Sequence, residues 1–412
     1  MKIVHIATTD SGGAGIGMVN LHKALLEFGI DSKVLVAHKT LKDDSIIQIQ
    51  PNYHLFKWSK NRIIRKIQEL LRCCGLFKTI VEKWDNKIWK TNQKCYKEVC
   101  FTSPYTKYDI TQHFLLKDAD IIHLHWVGDF LDYKSFFSKI TKPIVWTLRD
   151  ENPGLGGFHY LSDKTKYIQY YDSLETIFEA IKCQVIQNFN NLTLVALSNY
   201  MIDFCKGIKW LKNKKIHKIY NSIDNKTYHH IDKGIARKAL QIDNEIFVVL
   251  FVAVRLMDER KGFTQLINAI DYLDFPIKIL CVGKNDLTTE DRNDIICYGS
   301  IDNPYLMSIF YSAADVFINP TMEESFGKTI VESLLCGTPV ISTNEGIAKE
   351  IINDECGYII SDRQPSTIAY GIKYVRNHLY DSSKIINKYV PIFSPEKIVN
   401  EHIIMYNNIL TH

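Results

Sequence analysis

The chain has 412 residues, which sets an expectation of two or three domains at ~150 residues each and allows a sizeable core. Its composition, 46% hydrophobic, 23% charged and 12% aromatic with 20 Gly and 11 Pro, excludes collagen-like, mucin-like and wholly disordered chains. Lys and Arg total 50 against 46 Asp and Glu, a formal charge of +4, too small to point to nucleic acid as the main partner.

Met1-Lys2 leads directly into the apolar run Ile3-Val4-His5-Ile6-Ala7, without the longer apolar region and small-residue cleavage site of a signal peptide. The longest purely apolar stretch, residues 246–254, is nine residues, about half of the ~20 that a spanning helix needs. The expected location is therefore the cytoplasm. The ten cysteines are scattered and read as free thiols in a reducing compartment. Cys73-Cys74 and Cys95/Cys100 come nearest to a metal pattern, but no second pair follows, so no metal site is expected.

Short apolar runs alternate with longer mixed segments, the pattern of parallel strands joined by crossover helices. The first series of expected strands is 2–7, 32–37, 120–125, 143–148, 193–197 and 218–220. A second begins at 247–254 and continues through 278–282, 295–298, 315–319 and 339–343. Two doubly wound sheets fit these series better than one sheet of eleven strands, giving an N-terminal domain of residues 1–220 and a C-terminal domain of 221–394. Pro395 then opens a helix over 395–412 with Val399, His402, Ile403, Tyr406, Ile409 and Leu410 on one face. It either caps the second domain or crosses back to the first.

Residues 56–90 break this rhythm. They carry ten Lys or Arg against three acidic residues, a local net of +7, with Ile63, Ile64, Ile67, Leu70 and Leu71 at helical spacing. Such a basic insertion suits an anionic lipid surface. A solvated basic face packed on its own domain fits it equally well.

Four regions carry candidate chemistry. After the first strand, Gly12-Gly13-Ala14-Gly15 leads into a helix, and missing Cβ atoms let a ligand approach backbone N–H groups there. The spacing is neither GxGxxG nor GxxxxGK[ST], so sugar or phosphate contact and a simple tight turn both remain open. In Asn319-Pro320-Thr321-Met322-Glu323-Glu324-Ser325-Phe326-Gly327, a strand and small-residue loop precede a helix starting near Gly327. The amides of Ser325, Phe326 and Gly327 would suit a diphosphate, Glu324 a sugar hydroxyl, and Glu332 a ribose diol. The alternative makes Glu323 and Glu324 loop-surface acids and Glu332 a helix-surface residue. Arg255 ends an apolar strand and Lys261 follows six residues later, where αβ proteins place ligand groups. Surface ion pairs with Asp258 and Glu259 are the other reading. Finally, His123 and His125 lie at i, i+2 at the end of a strand, a polar pair at an otherwise apolar position.

Taken together, Gly12-Gly13, Arg255 with Lys261, and above all Glu324-x7-Glu332 followed by Ser333-Leu334-Leu335-Cys336-Gly337-Thr338-Pro339-Val340, resemble a retaining glycosyltransferase of sequence family 4. The likeness extends over nearly the whole chain, most specifically in its second half. It implies an α/β GT-B fold, two Rossmann-like doubly wound domains facing across a cleft. It further implies that Arg255 and Lys261 bind the donor diphosphate, Glu332 the ribose and Glu324 the transferred sugar, with the backbone around Gly299 and Ile301 cradling the base. His125 matches an active-site histidine facing the donor sugar. Trp146-Thr147-Leu148-Arg149-Asp150, followed by Gly156-Gly157-Phe158-His159-Tyr160, is similar to a subgroup that builds bacterial surface polysaccharides of colanic acid, O-antigen or capsule type. There a histidine commonly precedes the aspartate; Arg149 stands in its place, which points to an anionic acceptor or an extra phosphate contact. The two-site constellation, with the basic segment 56–90, gives the expectation of transfer of a hexose or N-acetylhexosamine from a UDP- or GDP-sugar to a lipid-linked or polysaccharide acceptor, with no cofactor or metal, in the cytoplasm, and at the inner face of the cytoplasmic membrane if 56–90 meets lipid. A non-catalytic nucleotide-sugar-binding subunit and a GT-B-like sugar-nucleotide epimerase are the alternatives.

Overall fold

Parallel strands are covered on both faces and so read as near-continuous apolar runs. In the computed structural model, which describes residues 1–51, 63, 66–67, 80–95, 99–284, 293–301 and 303–411, these runs form two parallel sheets. The first contains β1 (Lys2–Thr9), β2 (Asp31–His38), β3 (Ile46–Gln48), β4 (Ile121–Leu124), β5 (Ile144–Thr147), β6 (Leu192–Ala196) and β7 (Lys215–Lys218). Its order is β3-β2-β1-β4-β5-β6-β7. The second contains β8 (Phe247–Arg255), β9 (Ile277–Lys284), β10 (Ile295–Cys297), β11 (Val316–Asn319), β12 (Val340–Ser342) and β13 (Gly357–Ile359), in the order β10-β9-β8-β11-β12-β13. In each sheet the order reverses once, between β1 and β4 and between β8 and β11. Crossovers leave such a switch point in opposite directions and open a crevice at the strands' carboxyl ends.

Helices cover both faces. In the second sheet Val248 and Leu250 join one core cluster with Phe310, Tyr311, Leu334 and Tyr389, while Val249 and Phe251 join another with Phe263, Leu266, Ile368 and Ile372. This alternation is the two-residue period of a strand buried on both sides. In the first sheet, α1 (Gly12–Glu27) connects β1 to β2. A helix α2 (Ile80–Cys95) packs Trp84, Ile88 and Cys95 into a cluster with Phe101, Phe158, Tyr171 and Phe178; the last two residues lie on the long α3 (Leu161–Gln187). Between β11 and β12 runs α4 (Lys328–Leu335), and α5 (Pro395–Leu410) ends the chain. No described helix is long and apolar enough to cross a membrane.

The backbone divides into one unit of residues 1–196, 201–218 and 403–412 and another of 197–200 and 219–402. The expected strand 218–220 is displaced to β7. Ile219 and Tyr220 are apolar because they serve the second unit, where Tyr220 packs on its core and bonds Glu350 at 2.9 Å, rather than because they extend the first sheet. The edge strands β3 and β13 were not expected; each is three residues long, too short to show a period. The last residues of α5 belong with the first unit, where the Tyr406 hydroxyl meets His123 Nδ1 at 2.6 Å. Of the basic segment 56–90, residues 56–62, 64–65 and 68–79 lie outside the described residues, as does the Cys73-Cys74 pair.

Candidate active site

Arg255 ends β8, exposed at the strand's carboxyl end. A 3-10 turn, Glu259–Lys261, follows it, opened by Asp258, whose carboxylate accepts from the Arg260 amide at 3.0 Å. Gly262 closes the turn at φ 80°, and a Cβ there would stand 2.4 Å from the Pro320 carbonyl oxygen. Only glycine permits both the left-handed backbone and this approach. The Met322 amide donates to the Arg260 carbonyl at 2.7 Å, and Arg363 donates to the Glu259 carbonyl at 2.6 Å. The loop after β8 is thereby sewn to the loop after β11, and Lys261 Nζ reaches Glu324 Oε2 at 2.8 Å.

The loop beyond Glu324 is anchored through its carbonyls. Ser198 Oγ donates to the Ser325 carbonyl at 2.8 Å, and the Ile347 amide to the Phe326 carbonyl at 2.8 Å. A trans peptide sets its N–H opposite its C=O, so the Phe326 and Gly327 amides point away from those anchors. Gly327, at φ 96°, then turns the chain into α4. Aligned N–H groups at a helix start carry partial positive charge, and Lys261 adds a full one; that combination suits a phosphate. Gly299, at φ 71°, follows β10, and its carbonyl accepts from the Gly283 amide at 2.8 Å. Ile301 is half-buried against the same core.

Glu332 is not a helix-surface acid, since it is only 5% exposed. The Tyr311 hydroxyl donates to it at 2.8 Å, and Lys328 Nζ, one turn earlier, lies 3.2 Å away. Burial, and next the Glu332 carboxylate, push the Tyr311 hydroxyl well above its ordinary value, and the same two causes raise Tyr228. Both phenols therefore stay protonated and remain donors. Glu323 is buried as well, contrary to its reading as a loop-surface acid.

In the first unit the ends of β1 and β4 are tied together. The Thr8 amide donates to the Trp126 carbonyl at 2.8 Å and its hydroxyl to the Gly128 carbonyl at 2.6 Å. Asp10 is buried and accepts from the amides of Thr40 and Leu41, at 2.8 and 2.9 Å. At Gly12 and Gly13 a Cβ would meet nothing within 4 Å, so this backbone is open to approach. His125, one residue past β4, is 1% exposed, with Nε2 2.9 Å from His5 Nδ1 and Nδ1 3.1 Å from Arg149 Nη2. Protein groups thus engage both ring nitrogens of His125, the histidine expected to face the donor sugar. Burial pulls the Arg149 guanidinium down to about 9, so it remains charged at neutral pH.

Asp150 acts as an organiser of the loop after β5, accepting from the Trp126 indole at 2.6 Å, His159 Nδ1 at 2.5 Å and the Asn152 amide at 3.1 Å. Burial, the largest single influence, works against charge on His159, but the Asp150 carboxylate and Cys100 together outweigh it and raise the ring to about 10. From α3, Lys182 donates to the Asn152 carbonyl at 2.8 Å and the Leu155 carbonyl at 3.0 Å, and Glu175 accepts from the Gly156 and Gly157 amides at 2.8 and 2.7 Å. Sequence reasoning missed His5, Lys182, Glu175 and Tyr311; only the Gly156-Gly157 pair signalled a tightly held loop.

Residues 246–378 match the family described as glycosyl transferases group 1. An O-antigen biosynthesis glycosyltransferase of Escherichia coli, WclY, is 34% identical over 208 residues, 48% of this chain and 58% of that protein. The chain's matches to three further curated relatives span 40%, 66% and 55% of their lengths. Among solved structures, sucrose-phosphate synthase from Thermosynechococcus elongatus superimposes with a TM-score of 0.68 at 17% identity over 100% of both chains. Anabaena HepE in complex with UDP and glucose does so with a TM-score of 0.64 at 16% identity, over 99% of this chain and 100% of that one. The chain therefore carries a group 1 glycosyl transferase domain in its second unit and, in its two parallel sheets, the GT-B fold of its structural neighbours.

Proposed function

We propose that the protein is a retaining glycosyltransferase of sequence family 4 that moves a hexose or N-acetylhexosamine from a UDP- or GDP-sugar to a lipid-linked or polysaccharide acceptor in bacterial surface-glycan synthesis. The observation that carries this reading is the meeting of Lys261 and Glu324, 2.8 Å apart, beside the amides that open α4 at the switch point of the second sheet. WclY, an O-antigen biosynthesis enzyme, and HepE, bound to UDP and glucose, support the substrate class.

In this reading Arg255, Lys261 and the Phe326 and Gly327 amides take the diphosphate, Glu332 the ribose diol, and Glu324 a hydroxyl of the transferred sugar. The bond between the sugar's anomeric carbon and the diphosphate oxygen breaks, a bond from that carbon to the acceptor oxygen forms on the same face, and the acceptor proton passes to the departing diphosphate. The chain's part is to stabilise charge growing on that diphosphate with groups already in place. Glu324 orients the donor and forms no covalent intermediate.

One side of α2 supports contact with an anionic membrane: Ile80 is exposed there among Lys83, Lys87, Lys90 and Lys94, a pairing of basic and apolar groups that lipid headgroups favour.

A panel of UDP- and GDP-sugars, each incubated with lipid-linked and glycan acceptors, tests the proposal. Glycosylated acceptor with released nucleoside diphosphate is the expected product. Nucleotide-sugar binding without transfer would instead make the chain a non-catalytic subunit, and an isomerised sugar formed without acceptor would make it an epimerase.

A further inference from the structure

An arginine guanidinium offers only donors. Its Nη2 stands 3.1 Å from His125 Nδ1, so that nitrogen presents a lone pair. A neutral ring with a bare Nδ1 carries its hydrogen on Nε2, which stands 2.9 Å from His5 Nδ1. His5 must then accept there and keep its own hydrogen on Nε2. The reverse, with His5 donating, would strip both nitrogens of His125 and leave an imidazolate. We infer that Arg149 and His5 hold His125 as a neutral imidazole with its hydrogen on Nε2, and that within the Arg149–His125 pair the positive charge rests on Arg149.

The surroundings disfavour a second positive charge. His5 lies on β1, with His22 of α1 behind it at a ring separation of 6.0 Å; His123 of β4 stacks on His125 at 4.3 Å; Tyr406 of α5 is reached through His123. Burial holds His22 down at about 4, with Asp43, Lys33 and Lys23 acting on it from outside. A proton on His125 would therefore face the Arg149 guanidinium across one hydrogen bond. Ring nitrogens of His5, His123 and His125 also fall within 4.8 Å of one another, as metal ligands do. However, the His123 and His125 planes stack at 25°, and the His123 nitrogens are bonded to the hydroxyls of Tyr406 and Thr147, at 2.6 and 2.7 Å. Stacked rings do not converge their lone pairs on one ion.

For the transfer proposed above, on which only this consequence rests, His125 is a positioning residue that aims Arg149 and transfers no proton. Ring-nitrogen NMR on the full-length protein labelled with 15N-histidine tests the inference, with His125→Gln assigning the signals. A bare Nδ1, a protonated Nε2 and no titration from pH 5.5 to 8 are expected for His125. In Arg149→Met, which removes the donor, the Nδ1-protonated tautomer should become populated, while Arg149→Lys, which keeps a donor, should hold the tautomer. A wild-type His125 that is protonated on Nδ1, or that titrates between pH 6 and 8, overturns the inference, whether or not either variant folds. Failure of every donor to support transfer would sink the proposed function, and the spectra alone would then decide the tautomer.

Discussion

Replacing Lys261 with alanine separates a structural ion pair from a phosphate-binding cation. The Lys261 and Glu324 side chains are 31% and 21% exposed and 2.8 Å apart. A pair that open to solvent contributes ~0–1 kcal/mol to stability. At ~2–4 °C per kcal/mol for a unit of this size, Tm should fall by no more than ~4 °C. If the ammonium instead neutralises charge on the departing diphosphate, its loss removes ~3–4 kcal/mol of transition-state stabilisation. At 1.36 kcal/mol per tenfold, that amounts to ~10²–10³ in kcat/KM. Nucleoside diphosphate release with the donor found by screening, together with calorimetric Tm, reads both quantities on one preparation. A Lys261→Ala protein that keeps kcat/KM within ~3-fold of wild type would refute the assignment, whatever happens to its Tm. Lys261→Arg sharpens the comparison, because it preserves charge while replacing a mobile point donor with a rigid fork.

Four other outcomes are expected. Glu332→Gln exchanges charge-assisted hydrogen bonds for neutral ones, a difference of ~1–2 kcal/mol, so calorimetric titration should show nucleotide binding weakened ~5–30-fold; unchanged binding would remove Glu332 from the ribose. Gly262→Ala forces a Cβ to 2.4 Å from the Pro320 carbonyl at φ 80°, so unfolding should show a loss of ~1–3 kcal/mol for the strained backbone and lower transfer through displaced Lys261. His159 is raised to about 10 from 6.5, so its contribution to stability is complete below pH ~6.5 and disappears as pH rises through about 10. Lys182, lowered to about 7 by burial, acts in the opposite sense above that pH; the readout is therefore wild type minus His159→Gln, which should fall from pH 7 to 10, and parallel curves would contradict it. Each lysine near an anionic surface is worth ~1 kcal/mol, so replacing Lys83, Lys87, Lys90 and Lys94 with serine should abolish sedimentation with phosphatidylglycerol vesicles, and undiminished binding would place the membrane contact elsewhere.

The architecture was legible because parallel strands covered on both faces need long apolar runs, and β1, β8 and β11 stand out as such. What escaped was set by contacts that leave no local pattern. At three residues each, β3 and β13 are strands only because a neighbour supplies hydrogen bonds. The apolar pair Ile219-Tyr220 looked like the end of a strand, yet nothing in its own composition says which unit's core it fills.

The same division separates the two candidate sites. Lys261, Glu324, the Phe326 and Gly327 amides and Glu332 come from two short stretches, each a strand end followed by a turn and a helix start, so their residue types and spacing already suggested the phosphate-and-sugar site that we propose. The other site is assembled across the chain. His5 and His125 are 120 positions apart, His123 and Tyr406 are 283 apart, and Lys182 reaches back 30 positions to Asn152. Spacing could show His125 and Arg149 as polar residues at two strand ends, but not that one bonds the other. That bond changes the chemistry: a histidine free at a strand end can shuttle a proton, whereas one held by a guanidinium at 3.1 Å must present a lone pair to it. Arg149, standing where the resemblance leads one to expect a histidine, is therefore the residue whose variants test that bond.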